Sequence, residues 1–375
     1  MTDILVVGKY YAPFSGGVEE NTRVVAEGLA GRGHDVAVIC NNHAKGSSDE
    51  MMDGVRVVRT STLAVLKSQP IGISTFFKTL RFPAKVVHFH SPNPWLAVAL
   101  WLRFKVRKNP GSLVVTHHMD IYGRPILRFF ARKVFNALLK DTSLLIATSL
   151  RNITSSDDIS VKCNSIAIPL GLDLDKYTLS DEKRAEARAW GRELSGGRPI
   201  VAFMGRHARY KGLDVLIDAI ASDPQLYCII GGDGPCNEAT RRQVADLGIA
   251  DRVKFLGFIS HDEKLRLLAA ADVFAFPSTE KTEAYGISQV EAMALKVPVV
   301  ATNLPTGVVD VARHDDTAIV VEPGNSVAFA EAIAKVIADE EYRTKIVGNA
   351  YDNVVNNLSN DILIEKNVKC IEGVL

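Results

Sequence analysis

Two basic residues, Arg206 and Lys211, sit in GRHARYKG, residues 205–212, between the apolar runs PIVAFM and LDVLIDAI. The first run reads as a strand and the second as a helix. Both cations therefore arrive at a strand's carboxyl end, beside a helix N-terminus, where free N–H groups and the macrodipole favour anions. A guanidinium forks across phosphate oxygens, and an ammonium adds a compact charge. Phosphate is the ligand this pattern suits; a solvated basic loop is the plainer alternative.

A second group lies in EAYGISQVE, residues 283–291. Glu283 and Glu291 flank Gly286, and the spacing predicts a helix from Ile287 onward. Glu283 then lies in the loop before the helix and Glu291 in its second turn. A carboxylate accepts two hydrogen bonds, which suits the vicinal hydroxyls of a ribose or hexose. Two glutamates at a helix start are also ordinary surface charges, so their surroundings decide between the readings.

The elements that must carry these residues follow from hydrophobic rhythm. At 375 residues, 47% hydrophobic and 23% charged, the chain has the composition of a soluble protein with two sizeable cores. ILVVG, DVAVIC, VRVVRT, KVVHFH, LVVTHH and LLIATS read as strands alternating with helices near 17–33, 72–82, 93–106 and 124–140. After IPLGLDLDKYTL and a charged helix at 181–194, the alternation restarts with PIVAFMG, LYCIIGG, VKFLG, VFAFP, VPVVAT and AIVVE. This predicts an α/β protein with two doubly wound, Rossmann-like domains, the boundary falling at about 170–197. Loops at the carboxyl ends of two such sheets are where ligands of these folds bind.

Taken together, G-R-x4-K-G, GGDGP, F-L-G-F and FPSTEKTEAYGISQVEAMA resemble the retaining glycosyltransferases of family 4, nucleotide-sugar enzymes of the two-Rossmann GT-B architecture. The N-terminal GGVE and THHMD extend the resemblance over nearly the whole chain. It implies an acceptor-binding domain at 1–180 and a donor-binding domain at 181–355, facing each other across a cleft. It also implies a helix at 356–375 that crosses back to the first domain.

The resemblance implies roles residue by residue. Arg206 and Lys211 bind the donor diphosphate and stabilise the charge that grows on the departing nucleotide. Glu291 takes the ribose hydroxyls. Glu283 and the backbone N–H groups of Ala284, Tyr285, Gly286 and Ile287 hold the hexose and reach the α-phosphate. Gly257, Phe258 and Ile259 meet the base. Gly16 and Gly17, in FSGGVEEN at residues 14–21, form a loop closing on the diphosphate, with Glu19 and Glu20 in the first turn of the next helix. His118 matches the family histidine near the reacting carbon, with His117 as a one-residue alternative. Asp120, His90, Asn93 and Thr306 are candidate acceptor or hexose contacts.

No metal or other cofactor is expected. Asp214 and Asp218 read as helix-surface residues, and His88 and His90 have no carboxylate or cysteine cluster with them. GGDGP reads as a turn. Two departures from the family wording are Ala284, often glycine or proline, and Leu295-Lys296 where a small-residue/glycine turn is usual. NLPTG, residues 303–307, and EAYGISQ lean towards a GDP-mannose donor, with UDP-sugars next. Alternatives are a sugar-nucleotide 2-epimerase, against which the E-x7-E wording counts, and a non-catalytic sugar-nucleotide-binding subunit, against which the retained Arg206, Lys211 and Glu283 count. A phosphorylase would need a pyridoxal-lysine context, which is not found.

Charge is divided. Residues 1–180 carry a balance of +8 and the remainder −7. LRFPAK, RFKVRK and RPILRFFARKVF, residues 124–135, interleave basic with apolar residues, which suits either solvated helix faces or an anionic membrane surface. No nucleic-acid motif accompanies them. The five cysteines show no metal spacing, no signal-like segment precedes the first strand, and no apolar run reaches the roughly 18 residues of a span. The expectation is a cytoplasmic protein, peripheral on the inner membrane face, acting on a saccharide or lipid-linked saccharide acceptor.

Overall fold

The computed structural model of the chain describes residues 2–14, 16–66, 69–121 and 125–375. Ser15 of the glycine-pair loop and Arg124 of the third basic stretch lie outside the described residues. The chain divides into two compact units: Met1–Gly171 with Asn360–Leu375, and Leu172–Ser359. The sequence-based limits of 180 and 356 lie nine and four residues from these divisions.

In the first unit the described residues form an eight-stranded sheet. Its order runs Ser165–Ala167, Leu144–Ala147, Ser112–His117, Ala84–Ser91, Thr2–Val7, Val36–Asn41, Val55–Thr60 and Ser48–Met52. All neighbours are parallel except the last pair, an antiparallel edge. That edge strand, S-D-E-M-M, has no apolar run and is mostly exposed, so periodicity could not announce it. Strand alternation builds two cores. Ile4, Val6, Val36 and Val38 face the helices Gly17–Gly31 and Asn360–Glu372, whereas Leu5, Val7, Ala37 and Ile39 face Pro94–Val106 and Pro125–Leu139. The C-terminal helix is thus part of the first unit's core, through Leu363, Val368 and Ile371.

The second unit contains, among the described residues, a six-stranded parallel sheet in the order Val253–Gly257, Tyr227–Gly231, Ile200–Met204, Val273–Phe276, Val299–Thr302 and Ile319–Val321. This is a 3-2-1-4-5-6 arrangement, whose strand order reverses between Ile200–Met204 and Val273–Phe276. The entering helix Asp181–Ser195 is fixed at both ends. Ser180 caps the Lys183 N–H, acids occupy the first turn, and left-handed Gly196 terminates it.

Candidate active site

The loops leaving the two strands at that reversal carry Lys211 and Glu283. Their close approach is set by backbone. Gly212 has φ 66°, and a Cβ there would lie 2.0 Å from the Pro277 carbonyl oxygen. Thr279 N–H donates to Tyr210 O at 2.8 Å, joining the loops a second time. On this frame Lys211 Nζ donates to Glu283 Oε2, an ion pair whose side chains are 12% and 10% exposed. Ser278 Oγ donates to the same carboxylate oxygen at 3.1 Å. The ammonium also lies 5.4 Å from the Phe276 ring centroid. Arg206 is exposed and its side chain has no hydrogen-bond or ion-pair partner among the described residues, and its charge acts on Tyr210 together with those of Lys211 and Glu283. One loose and one clamped cation thus share the mouth of the reversal, an arrangement suited to a diphosphate.

Gly286 starts the helix Ile287–Ala294 in the left-handed region, φ 77°, and a Cβ there would strike the Phe276 ring at 2.3 Å. Only glycine fits. Below it, the buried Gln289 side chain donates to Tyr285 O at 2.8 Å and Val308 O at 3.2 Å, fixing the loop that carries Ala284 and Tyr285. Thr306 is buried and donates to Glu283 O at 2.7 Å, and Gly307 N–H donates to Ala284 O at 3.0 Å. Glu291 lies one helical turn deeper. Its Oε1 accepts from Tyr177 OH at 2.5 Å and from Lys264 Nζ at 2.7 Å. Gly257-Phe258-Ile259 ends a strand on the far side of the sheet centre, where the Phe258 ring is 91% exposed.

In the first unit, His88 and His90 of the strand Ala84–Ser91 lie in tilted contact at 4.4 Å, and His90 stacks on His118 beyond the end of the neighbouring strand. His88 Nε2 meets Thr116 Oγ1 at 2.7 Å, and His90 Nδ1 meets His118 Nε2 at 3.0 Å, one ring donating and the other accepting. Burial, reinforced by neighbouring imidazoles, pushes His118 down to about 3, and burial alone does the same to His88. These histidines are neutral near pH 7. His117 points elsewhere: Nδ1 meets Ser91 Oγ at 2.9 Å, Nε2 meets Asp120 Oδ1 at 3.4 Å, and the ring stacks on Phe135. Both of its nitrogens have partners, while His118 commits only Nε2. Burial disfavours the Asp120 carboxylate, yet hydrogen bonds from His117, Ser156 and the Asp157 N–H hold it at about 2.

Residues 186–353 match the family described as glycosyl transferases group 1, and residues 16–151 match the glycosyl transferase 4-like domain. The D-rhamnosyltransferase WbpZ of Pseudomonas aeruginosa is 31% identical over 284 residues, 75% of this chain and 72% of its own. The chain belongs to the family 4-type GT-B glycosyltransferases. A GDP-mannose-dependent alpha-(1-6)-phosphatidylinositol monomannoside mannosyltransferase of Mycobacterium tuberculosis is 27% identical over 357 residues, 91% of this chain and 90% of its own. A sucrose-phosphate synthase of Thermosynechococcus elongatus shares the fold, with TM-score 0.80 and 21% identity, over 100% of this chain and 99% of its own.

Within this glycosyltransferase several candidate residues have internal work. His90 is buried against His118, and Asn93 is a buried cap whose Oδ1 accepts from the Leu96 N–H at 3.2 Å. Asp120 ties its loop to residues 156 and 157. Gly16 is an extended N-cap, φ −173°, so no backbone strain demands it, and no described heavy atom lies within 4 Å of a Cβ placed on Gly17. Glu19 and Glu20 do occupy the first turn of the following helix. Sequence reasoning missed Tyr177 and Lys264. Tyr177 hides in the segment read as a domain boundary, and Lys264 resembles any charged residue of the helix His261–Ala270. Among the described residues no cluster of three or more His, Cys, Asp or Glu could hold a metal ion.

Proposed function

We propose that this glycosyltransferase moves a hexose, mannose from GDP-mannose as the first choice, to a saccharide or lipid-linked saccharide in cell-surface polysaccharide or glycolipid assembly, with retention and without a metal. The carrying observation is the Lys211–Glu283 pair at the sheet reversal, beside the unpartnered Arg206 side chain. Arg206 forks across the diphosphate and Lys211 adds its charge. Glu283 accepts from hexose hydroxyls with the oxygen that Lys211 and Ser278 leave open. Glu291, held by Tyr177 and Lys264, accepts from the ribose.

As the C1–phosphate bond breaks, its electron pair passes to the diphosphate, where the two cations stabilise it. Fixed charges do this better than water, which must reorganise. The acceptor hydroxyl oxygen bonds to C1 on the face that the phosphate leaves. Its proton passes to a phosphate oxygen, so no protein base is required. The roles implied for His118, Gly16 and Gly17 stand on the family resemblance. NLPTG and the GDP-mannose-dependent relative favour the donor choice; the rhamnosyltransferase among the relatives keeps other sugars in the comparison.

Calorimetry with GDP, UDP, GDP-mannose and UDP-glucose, each with and without chelator, tests the donor site. The expected result is tightest binding of GDP-mannose, indifferent to chelator. Tighter binding of a UDP-sugar would overturn the donor choice, and strict metal dependence would overturn the cationic site.

A further inference from the structure

Residues 54–140 contain fifteen Lys and Arg and a single acid, Asp120, whose carboxylate is occupied by Ser156, the Asp157 N–H and His117. Much of this stretch builds one helical layer of the first unit. The helix Ile73–Arg81 packs on Pro94–Val106, with Phe76 against Trp95 at 4.9 Å, and Pro94–Val106 packs on Pro125–Leu139. The layer's outer side is not polar. Ile73 and Phe77 on the first helix, and Ile126, Leu127, Phe129 and Phe130 on the third, are 47–73% exposed. Helical geometry turns Ile126, Phe129 and Phe130 away from the buried Phe135, Leu138 and Leu139, and Leu127 is exposed in the helix's first turn. The helices of the opposite layer, Gly17–Gly31 and Asn360–Glu372, expose no large hydrophobic side chain.

Cations are interleaved with this apolar face. Arg81 lies 5.4 Å from the Phe77 centroid and Lys133 Nζ 4.4 Å from that of Phe129. Arg128 and Arg132 are partly neutralised by Asp157 and Asp158, and Lys105 by Asp141. Arg81 and Lys133 have no carboxylate partner among the described residues, and Lys78 forms no ion pair there although its charge reaches Asp49.

We infer that the outer face of helices Ile73–Arg81 and Pro125–Leu139 docks on a bilayer containing anionic phospholipid. Aromatic and aliphatic side chains enter the headgroup boundary while lysine and arginine meet the phosphates. Charge selects this occupant: a neutral apolar partner would leave the cations unpaired, and nucleic acid would leave six exposed hydrophobics unburied. The inference gives the lipid-linked acceptor of the proposed function its location, and it rests on that reading only for its purpose.

Sedimentation of the full chain with vesicles lacking donor and acceptor tests docking separately from transfer. Phosphatidylcholine vesicles containing phosphatidylglycerol should bind the protein, pure phosphatidylcholine vesicles should not, and salt should weaken binding. A Phe129→Ser/Phe130→Ser variant should bind about tenfold more weakly with nucleotide affinity unchanged, as should Lys78→Glu/Lys133→Glu. No binding to anionic vesicles at low salt, or unchanged binding by both variants, would overturn the inference. Tighter capture of an RNA oligonucleotide or a polyglutamate than of vesicles would overturn it too.

Discussion

Lys211 donates to Glu283 across the reversal of the second unit's sheet, so a cation and an anion 72 residues apart in sequence are held by loops from neighbouring strands. The pair keeps the ammonium fixed in a partly buried setting, while Ser278 helps satisfy the carboxylate. A charge held before substrate arrives needs no reorganisation during bond breaking.

Replacing Lys211 by alanine should therefore reduce turnover by about 10²–10³-fold. Melting should fall far less, because Glu283 keeps its Ser278 donor and the Thr279–Tyr210 bond still joins the loops. Steady-state kinetics beside a thermal melt would check this; an unchanged rate removes Lys211 from the reaction.

Glu291 carries a prediction that discriminates between ligand parts. Glu291→Gln should weaken binding of a nucleoside diphosphate by about tenfold, the scale of one hydrogen bond to a charged group. The same change should scarcely alter binding of the 2′,3′-dideoxy analogue, which lacks the hydroxyls. Equal losses for both ligands, measured by calorimetry, would mean that Glu291 only braces Tyr177 and Lys264.

The buried histidines predict acid sensitivity with a defined sign. His88 and His118 stay neutral down to about 3, below the ordinary 6.5, so the unfolded chain binds more protons between those values. Stability from this source is complete above pH 6.5 and declines as pH falls towards 3, by roughly 1.4 kcal/mol per pH unit for each histidine. Urea titrations from pH 7 to 4.5 would measure the slope, and His88→Gln should lessen it. For the same reason, His118 should contribute no limb to the transfer rate near pH 6–7.

Lys296 has φ 61° and sits at the helix end in a Schellman arrangement, with its own N–H on Met293 O and the Val297 N–H on Ala292 O. A glycine is usual at such a position. Lys296→Gly and Lys296→Ala both lose the ammonium–Tyr351 contact, so comparing them isolates the backbone. The glycine variant should be more stable than the alanine variant by about 1 kcal/mol in urea unfolding, with activity unaltered.

The legibility of the fold in the sequence was uneven, for physical reasons. Most of the parallel strands are continuous apolar runs rich in β-branched residues, so their order along the chain could be read directly, but the three-residue parallel strand Ser165–Ala167 was too short to be read. The edge strand Ser48–Met52 and the small hairpin of Ala64–Leu66 with Gln69–Ile71 lack that pattern and went unread. At the site, Lys211, Glu283 and Glu291 stood out because glycines and helix starts frame them. Tyr177 and Lys264 act through tertiary placement alone, which no local spacing records. The +8 balance was visible too, but its concentration on one helical layer depends on which side of the sheet each helix takes.

The helix Asn360–Glu372 completes a core begun at Thr2, with Ile364 lying against Gly28 so closely that a Cβ there would sit 2.5 Å from it. During synthesis the ribosome must therefore deliver the whole second unit before the first can finish. Until then Val24, Val25 and Leu29 lack part of their cover, so this segment is a candidate client for chaperones. A fragment ending at Gly171 would remain in that unfinished state, and coexpressing the last sixteen residues as a separate peptide should raise its soluble yield.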